Sequence, residues 1–485
     1  MVSKLAFARL ILASGVAALG SQSACAQDAA AVLKRASDAM GAANLKSLRY
    51  TTDGTGYTFG QAFQPGVPWP KINVHSQIRT INYDTALMRE EITLSRGEPR
   101  GGGGYPHVAQ QRSDQFVSGA FAWNQVGPAP SPGPRFVSDR VHQLWITPHG
   151  AVKAAMKNNA TAQPGKSPAV VSFTEPGRFS AKVFFNANYL VERVESRAPD
   201  VVLGETAVVT SYSDYRDFAG VKFPMRIQQS QGGSPVLDVM VKDVQPNAPA
   251  DIQLPDLVRD ASERVTTEKV ADGVWFVAGG SHNSVAIEMK DHIVMVEAPL
   301  FDARMVPVIE QIKQLAPGKP IRYAINSHSH FDHSGGLRAA VAEGATVVTH
   351  AANKAYFEGA FATPNKIDPD RLAKSGKKAE VVGVTDKLVL NDGTRVLEIH
   401  PIRDSVHSDT FLMVYLPKEK LLIEADAFTP GPPNSPPPAQ PNPNNVNLIE
   451  NLERLRLSVD RILPLHGRVV PLAELYTAAG ATMPK

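Results

Sequence analysis

Three imidazoles and a carboxylate fall within six consecutive residues, His328-Ser329-His330-Phe331-Asp332-His333. A short apolar strand pattern, Arg322–Asn326, leads into them, and a helical pattern, Gly335–Glu343, follows. Such a segment makes a poor core on its own, because burying four polar or charged groups without partners is costly. A bound metal ion supplies the partner. In an extended turn His328 and His330 point the same way, while Asp332 and His333 reach a position slightly further on. Helix onset at Ser334 and the glycines after it let the backbone turn sharply there. The competing explanation is a chance His-rich turn.

The rest of the chain narrows what could hold a metal. Nine of the thirteen histidines lie after residue 263, and Cys25 is the only cysteine. Residues 1–26 read as a secretory signal: Lys4 and Arg9 precede the apolar run Leu10–Gly20, and Ala24-Cys25-Ala26 offers a cleavage site. Gln22 sits where a lipid-anchor signal wants an aliphatic residue. Removal of that segment leaves a chain without thiols. Its metals would then rest on histidine and carboxylate, in the periplasm or outside the cell. No later stretch has the length and apolarity of a membrane-spanning helix.

At 485 residues the chain predicts two domains beyond the signal. From 27 to 257 the pattern is mostly strands, with a helix over Ala29–Asn44 and strands such as Ser47–Thr58, Gln77–Thr93, Ala181–Val194 and Thr206–Tyr215. Gly101–Gly104 and Pro128–Pro134 read as loops. The run Asn247-Ala248-Pro249 breaks the sheet pattern, and strand–helix alternation covers 265–485. Thr429–Asn445 holds eight prolines, and so predicts a stiff, extended segment. The formal net charge of +3 gives no reason to expect nucleic acid as a partner.

The His-x-His-x-Asp-His run after a strand resembles the signature of the metallo-β-lactamase-fold superfamily. Later motifs occur in the family's order: His407 before the strand Phe411–Leu416, Asp426 after the strand Leu421–Glu424, and His466 in Pro464-Leu465-His466-Gly467. The resemblance covers about residues 265–475 and implies an αββα sandwich. The fold class is therefore α+β, with a mostly antiparallel β-domain preceding that sandwich. Carried over residue by residue, His328, His330 and His407 would hold one metal and Asp332, His333 and His466 a second, with Asp426 bridging. The donor set suits two zinc ions, and manganese or iron are also compatible.

Two positions depart from the family pattern. Val296-Glu297-Ala298-Pro299 stands where the family usually has Asp-x-Gly, so Glu297 becomes a candidate brace for a ligand histidine. Val406 replaces a glycine often found before the third-motif histidine. His282, in Gly280-Ser281-His282-Asn283, is a candidate substrate contact or an ordinary hairpin residue. His350 and His400 read as structural, and His292 as a solvated turn residue. The Asp214–Pro224 segment loosely resembles a strand–turn–strand element of lipoprotein-carrier-like envelope domains.

The function implied is a dinuclear zinc hydrolase acting on a small ester, lactone, thioester or amide through a metal-bridging hydroxide, with Asp332 as its catalytic carboxylate. Three alternatives stand beside it. A β-lactamase is disfavoured, since the best-known members of this fold with that activity mostly carry Cys or Ser at the position of Asp426. A mononuclear iron dioxygenase of the same fold would use two histidines and an aspartate and leave the other ligands idle. A non-catalytic envelope-binding protein has no need of all seven residues.

Overall fold

Strand pairing and alternating burial set the layers of the molecule. The computed structural model describes residues 29–98, 101–103, 109–163 and 169–484. The segment 1–26, read above as a signal, lies outside them. Among the described residues, no helix is long and apolar enough to cross a membrane.

The N-terminal part builds one thirteen-stranded sheet, antiparallel between every pair of neighbours. Its first strand, Ser47–Tyr57, lies inside the sheet, between Lys71–Asn82 and Ser234–Pro246. Residues 29–40 are helical, and Leu33, Ala36 and Met40 enter the same core as Val183, Phe185 and Val208 of the sheet. The segment Arg216–Phe218 pairs with Val221–Phe223 as a separate hairpin.

Two helices, Val137–Trp145 and Pro148–Lys157, interrupt what the sequence pattern presents as strands and loops. Their apolar residues Val141, Leu144, Trp145, Ala151, Val152 and Ala155 recur at helical spacing and join the sheet's core. Pro148 at the start of the second helix has the φ a first turn needs and lacks an N–H that would go unpaired.

The C-terminal part is a sandwich of a seven-stranded and a six-stranded sheet. Along the first, side chains alternate strictly. Phe276, Val285, Ile287, Val294, Val296 and Ile325 pack with Leu397, Ile399, Val414 and Ile423 of the second sheet. Their neighbours Ala286, Ile293, Met295 and Ala324 pack instead with Met305, Val308 and Ile312 of helix Asp302–Leu315 and with Leu337 and Val341 of helix Leu337–Glu343. On the second sheet, Leu448 and Leu452 of helix Pro443–Leu455 and Leu475 of helix Leu472–Ala478 close the outer side. The layers therefore run helix, sheet, sheet, helix. His292 is buried at 5% exposure beside Tyr323, not solvated.

Among the described residues, the two parts meet around Val202 and at the His-rich turn. Val202, in the turn between Val191–Asp200 and Gly204–Ser213, joins the core under the first sheet's helices. Around it, Asn365 Nδ2 donates to Asp200 O and Lys366 N to Glu205 Oε2. Gly204 permits this approach, because a β-carbon there would lie 2.1 Å from Thr363 O.

Candidate metal centre

Parallel pairing delivers the candidate ligands to one edge of the sandwich. Strand Ile293–Val296 pairs parallel with Ile321–Ile325, so Glu297 and the run 328–333 leave the first sheet together. Strand Leu421–Glu424 pairs parallel with Arg461–Pro464, so Asp426 and His466 leave the second sheet together. Asn283 ties the edges across the sandwich: its N–H donates to Leu465 O and its Nδ2 to Gly467 O, both at 2.9 Å. Pro430, at the start of the proline-rich segment, lies where a β-carbon on Gly467 would be 3.1 Å from its ring. Residues 429–442 form no helix or strand, and the helix begins at Pro443 rather than Val446.

The side chains fall into two groups, in each of which one donor atom per residue lies within 4.8 Å of all the others. The first is His328, His330, His407 and Asp426; the second is His282, Asp332, His333 and His466. Asp426 addresses both. Its Oδ2 is 2.9 Å from His407 Nε2 and 3.9 Å from His328 Nε2, while its Oδ1 is 3.0 Å from His333 Nε2 and 2.8 Å from His466 Nε2. Asp332 Oδ2 faces His282 Nε2 at 3.3 Å and His333 Nε2 at 3.9 Å.

Besides His282, whose Nδ1 meets Ser281 Oγ at 2.8 Å, the second nitrogen of four rings is fixed, and this decides which nitrogen faces inward. Ser327 Oγ donates to Glu297 Oε2, so its oxygen is left to accept from His328 Nδ1 at 2.9 Å. His333 Nδ1 meets Glu297 Oε2 at 3.2 Å, and His466 Nδ1 meets Ser281 O at 2.9 Å. His330 is turned the other way: its Nε2 meets the carbonyl of Ala62 at 3.0 Å and its Nδ1 points to His328 Nε2 at 2.9 Å. A carbonyl only accepts, so the proton sits on Nε2 of His330 and the Nδ1 lone pair is free.

These residues fit a metal. Two imidazole lone pairs 2.9 Å apart repel unless a proton or a cation lies between them. Asp426 Oδ1 is buried and, among the described residues, has no partner in hydrogen-bond geometry. Burial holds His328 far below the ordinary histidine pKa and takes His330 down to about 3, with the neighbouring rings pushing the same way. Both are therefore neutral, as ligation requires. His333 is the exception: burial opposes its charge, but Asp426 and Asp332 outweigh burial and hold its pKa well above the ordinary value. Against the same pull of burial, His333 keeps both aspartates well below the carboxylate range.

All nine residues singled out in the sequence lie at this edge. Glu297, fully buried at φ 68°, accepts from Asn326 Nδ2 and Ser327 Oγ besides facing His333. His282 sits inside the second group, between His333 and His466 at ring-centroid distances of 5.0 and 4.1 Å. His350 and His400 lie elsewhere: His350 Nδ1 accepts from Ala352 N, and His400 Nε2 meets Glu398 Oε2.

Sequence reasoning missed a loop of the N-terminal sheet. Residues 59–63 lie on the His-rich turn, where Gln61 Nε2 donates to Asp332 Oδ1 at 2.8 Å and Phe331 N donates to Gly60 O at 3.1 Å. Nothing in the periodicity of that stretch signals it.

The sequence model of the metallo-beta-lactamase superfamily matches residues 277–468. Among curated proteins, none matches this chain. Among solved structures, the metallo-beta-lactamase from Pontibacter korlensis shares 16% identity over 45% of this chain and 98% of its own, with a TM-score of 0.35. The metallo-beta-lactamase FIM-1 from Pseudomonas aeruginosa, solved in a mono-zinc form, shares 19% over 45% and 94%, with a TM-score of 0.34. The rubredoxin oxygen:oxidoreductase of Desulfovibrio gigas shares 18% over 44% and 60%, with a TM-score of 0.36. With the family's motifs gathered at one edge of an αββα sandwich, residues 277–468 of this chain form a domain of the metallo-beta-lactamase superfamily.

Proposed function

We propose that the chain is a hydrolase that works with two divalent ions, zinc by the character of its donors, on a small ester, lactone, thioester or amide. One observation carries this reading: the two oxygens of Asp426 address two separate histidine groups, as a bridging carboxylate does. When bound, two such ions would supply a nucleophile at neutral pH and polarise the scissile carbonyl.

The chain's own residues supply orientation and proton handling. Gln61 occupies Oδ1 of Asp332 and leaves Oδ2 directed inward. That oxygen takes the proton released as the nucleophile adds. His282 Nε2, 3.3 Å from it, donates to that oxygen and holds it in place. Burial lowers the His282 pKa to about 4, so the ring is neutral. Pro430 lies against Gly467, the neighbour of His466. The reading of residues 1–26 as a secretory signal supports an activity in the periplasm or outside the cell.

The test is metal quantitation on the purified protein, followed by assays across lactones, thioesters, esters, amides and β-lactams, with His330→Ala as the inactive control. Two zinc ions per chain with hydrolysis of one class supports the proposal. One iron with oxygen consumption, or no metal at all, overturns it.

A further inference from the structure

The loop over residues 59–63 does more than cover the turn. It holds three consecutive residues of the His-rich run, each by a different contact. His330 Nε2 meets Ala62 O at 3.0 Å. Phe331 is packed edge-on by Phe59 and Trp69, with ring centroids 5.3 and 6.0 Å away, and its N–H donates to Gly60 O. Asp332 Oδ1 accepts from Gln61 Nε2 at 2.8 Å. The third-motif turn is held from the same side: Gly102 N donates to His407 O at 3.0 Å and Asp409 N to Phe63 O at 2.9 Å.

The local sequence is shaped for this approach. Gly60 has φ +81°, and a β-carbon there would lie 2.5 Å from Phe331 Cγ, so any other residue would lift the loop off the turn. The contacts are also selective. The Ala62 carbonyl dictates the tautomer of His330, which alone among the fixed rings presents Nδ1 inward. The Gln61 amide occupies one oxygen of Asp332 and so leaves the other to the second group.

We propose that the N-terminal domain is an integral part of the metal centre, with Gln61 a positioning residue for the second metal and the Ala62 carbonyl a positioning group for the first. This rests on the metal-dependent reading of the site. The domain thereby acts on metal affinity and on the direction of Asp332, and a chain without the loop would keep its ligands but lose their alignment.

The experiment is cobalt(II) titration of the full chain, followed by its visible absorption, with zinc competition for affinities. Gln61→Ala removes the side chain, and Gln61→Met keeps its length while deleting the donor. Both variants are expected to weaken the second cobalt by about 10–100-fold and to alter its spectrum, with the first cobalt unchanged. Gly60→Ala is expected to weaken the first, by moving Ala62 O away from His330. If Gln61→Met binds and absorbs as the wild type does, the residue only fills space and the proposal falls. Wild-type binding of two cobalt ions without hydrolysis would overturn the functional reading alone, leaving the affinity comparison intact. Wild-type protein that takes up no metal overturns both.

Discussion

The two halves of the candidate metal centre share one carboxylate yet differ in character. The first group is imidazole-dominated and dry: His328, His330 and His407 are at most 5% exposed, and burial keeps His328 and His330 neutral. The second group is charged and more open: His466 and Asp332 are partly exposed, and without a metal the charge on His333 only partly offsets those of Asp332 and Asp426. The first group is thus preorganised for a cation. The second already carries a proton on His333, and it is the more exposed of the two.

The largest expected effect abolishes the distinction. Asp426→Ala removes the one residue that serves both groups, so both affinities should fall by more than the roughly 100-fold that loss of an outer partner costs. Calorimetric zinc titration checks this. Loss of one ion with full retention of the other would mean that Asp426 belongs to a single group.

A second, smaller effect exposes the difference directly. Because the folded-state pKa of His333 is raised, its proton persists through neutral pH and must leave when an ion binds. Affinity of the second group therefore rises with pH by up to about tenfold per unit below that pKa. His330, with its pKa down at about 3, has no proton to lose over that range. Lowering the pH from neutral should empty the second group first. Zinc titrations in buffers of differing ionisation enthalpy should show about one proton released with the second ion and about none from His328 or His330 with the first. Equal pH dependence of the two events would break the comparison.

What the sequence discloses of this arrangement follows the range of the interactions. His328, His330, Asp332 and His333 are contiguous, so their common purpose is visible in one glance along the chain. His407, Asp426 and His466 are single residues, but each sits beside an apolar strand whose pairing is dictated by burial, and the family's order connects them. The grip of Gln61 on Asp332 spans 271 positions and is made by a loop with no hydrophobic period. The packing of Phe59 and Trp69 on Phe331 and the hydrogen bonds at Gly60 and Ala62 place that loop. The helices over Val137–Lys157 were obscured for another reason. Val137, Val141, Ile146 and Thr147 are β-branched and favour strands locally, and the buried face formed by Val141, Leu144 and Trp145 overrides that preference.

The finest test of the comparison uses Glu297. Its Oε2 faces His333 Nδ1 directly at 3.2 Å, and it also receives Ser327 Oγ, whose oxygen in turn meets His328 Nδ1. One carboxylate therefore braces the second group by one contact and the first by two in series. Glu297 is also held at φ 68°, a left-handed conformation that disfavours a side chain, and such backbone costs of order 1–3 kcal/mol when the surroundings enforce it. Glu297→Gln keeps shape and backbone but replaces the negative oxygen by a neutral amide. His333 then loses the charge that strengthens its ring as a ligand, while Ser327 retains an oxygen to donate to. The second ion should weaken by about tenfold, and the first by a smaller factor. Equal weakening of both would show that Glu297 supports the turn as a whole, and weakening of the first alone would show that the serine relay, not the direct contact, carries its influence.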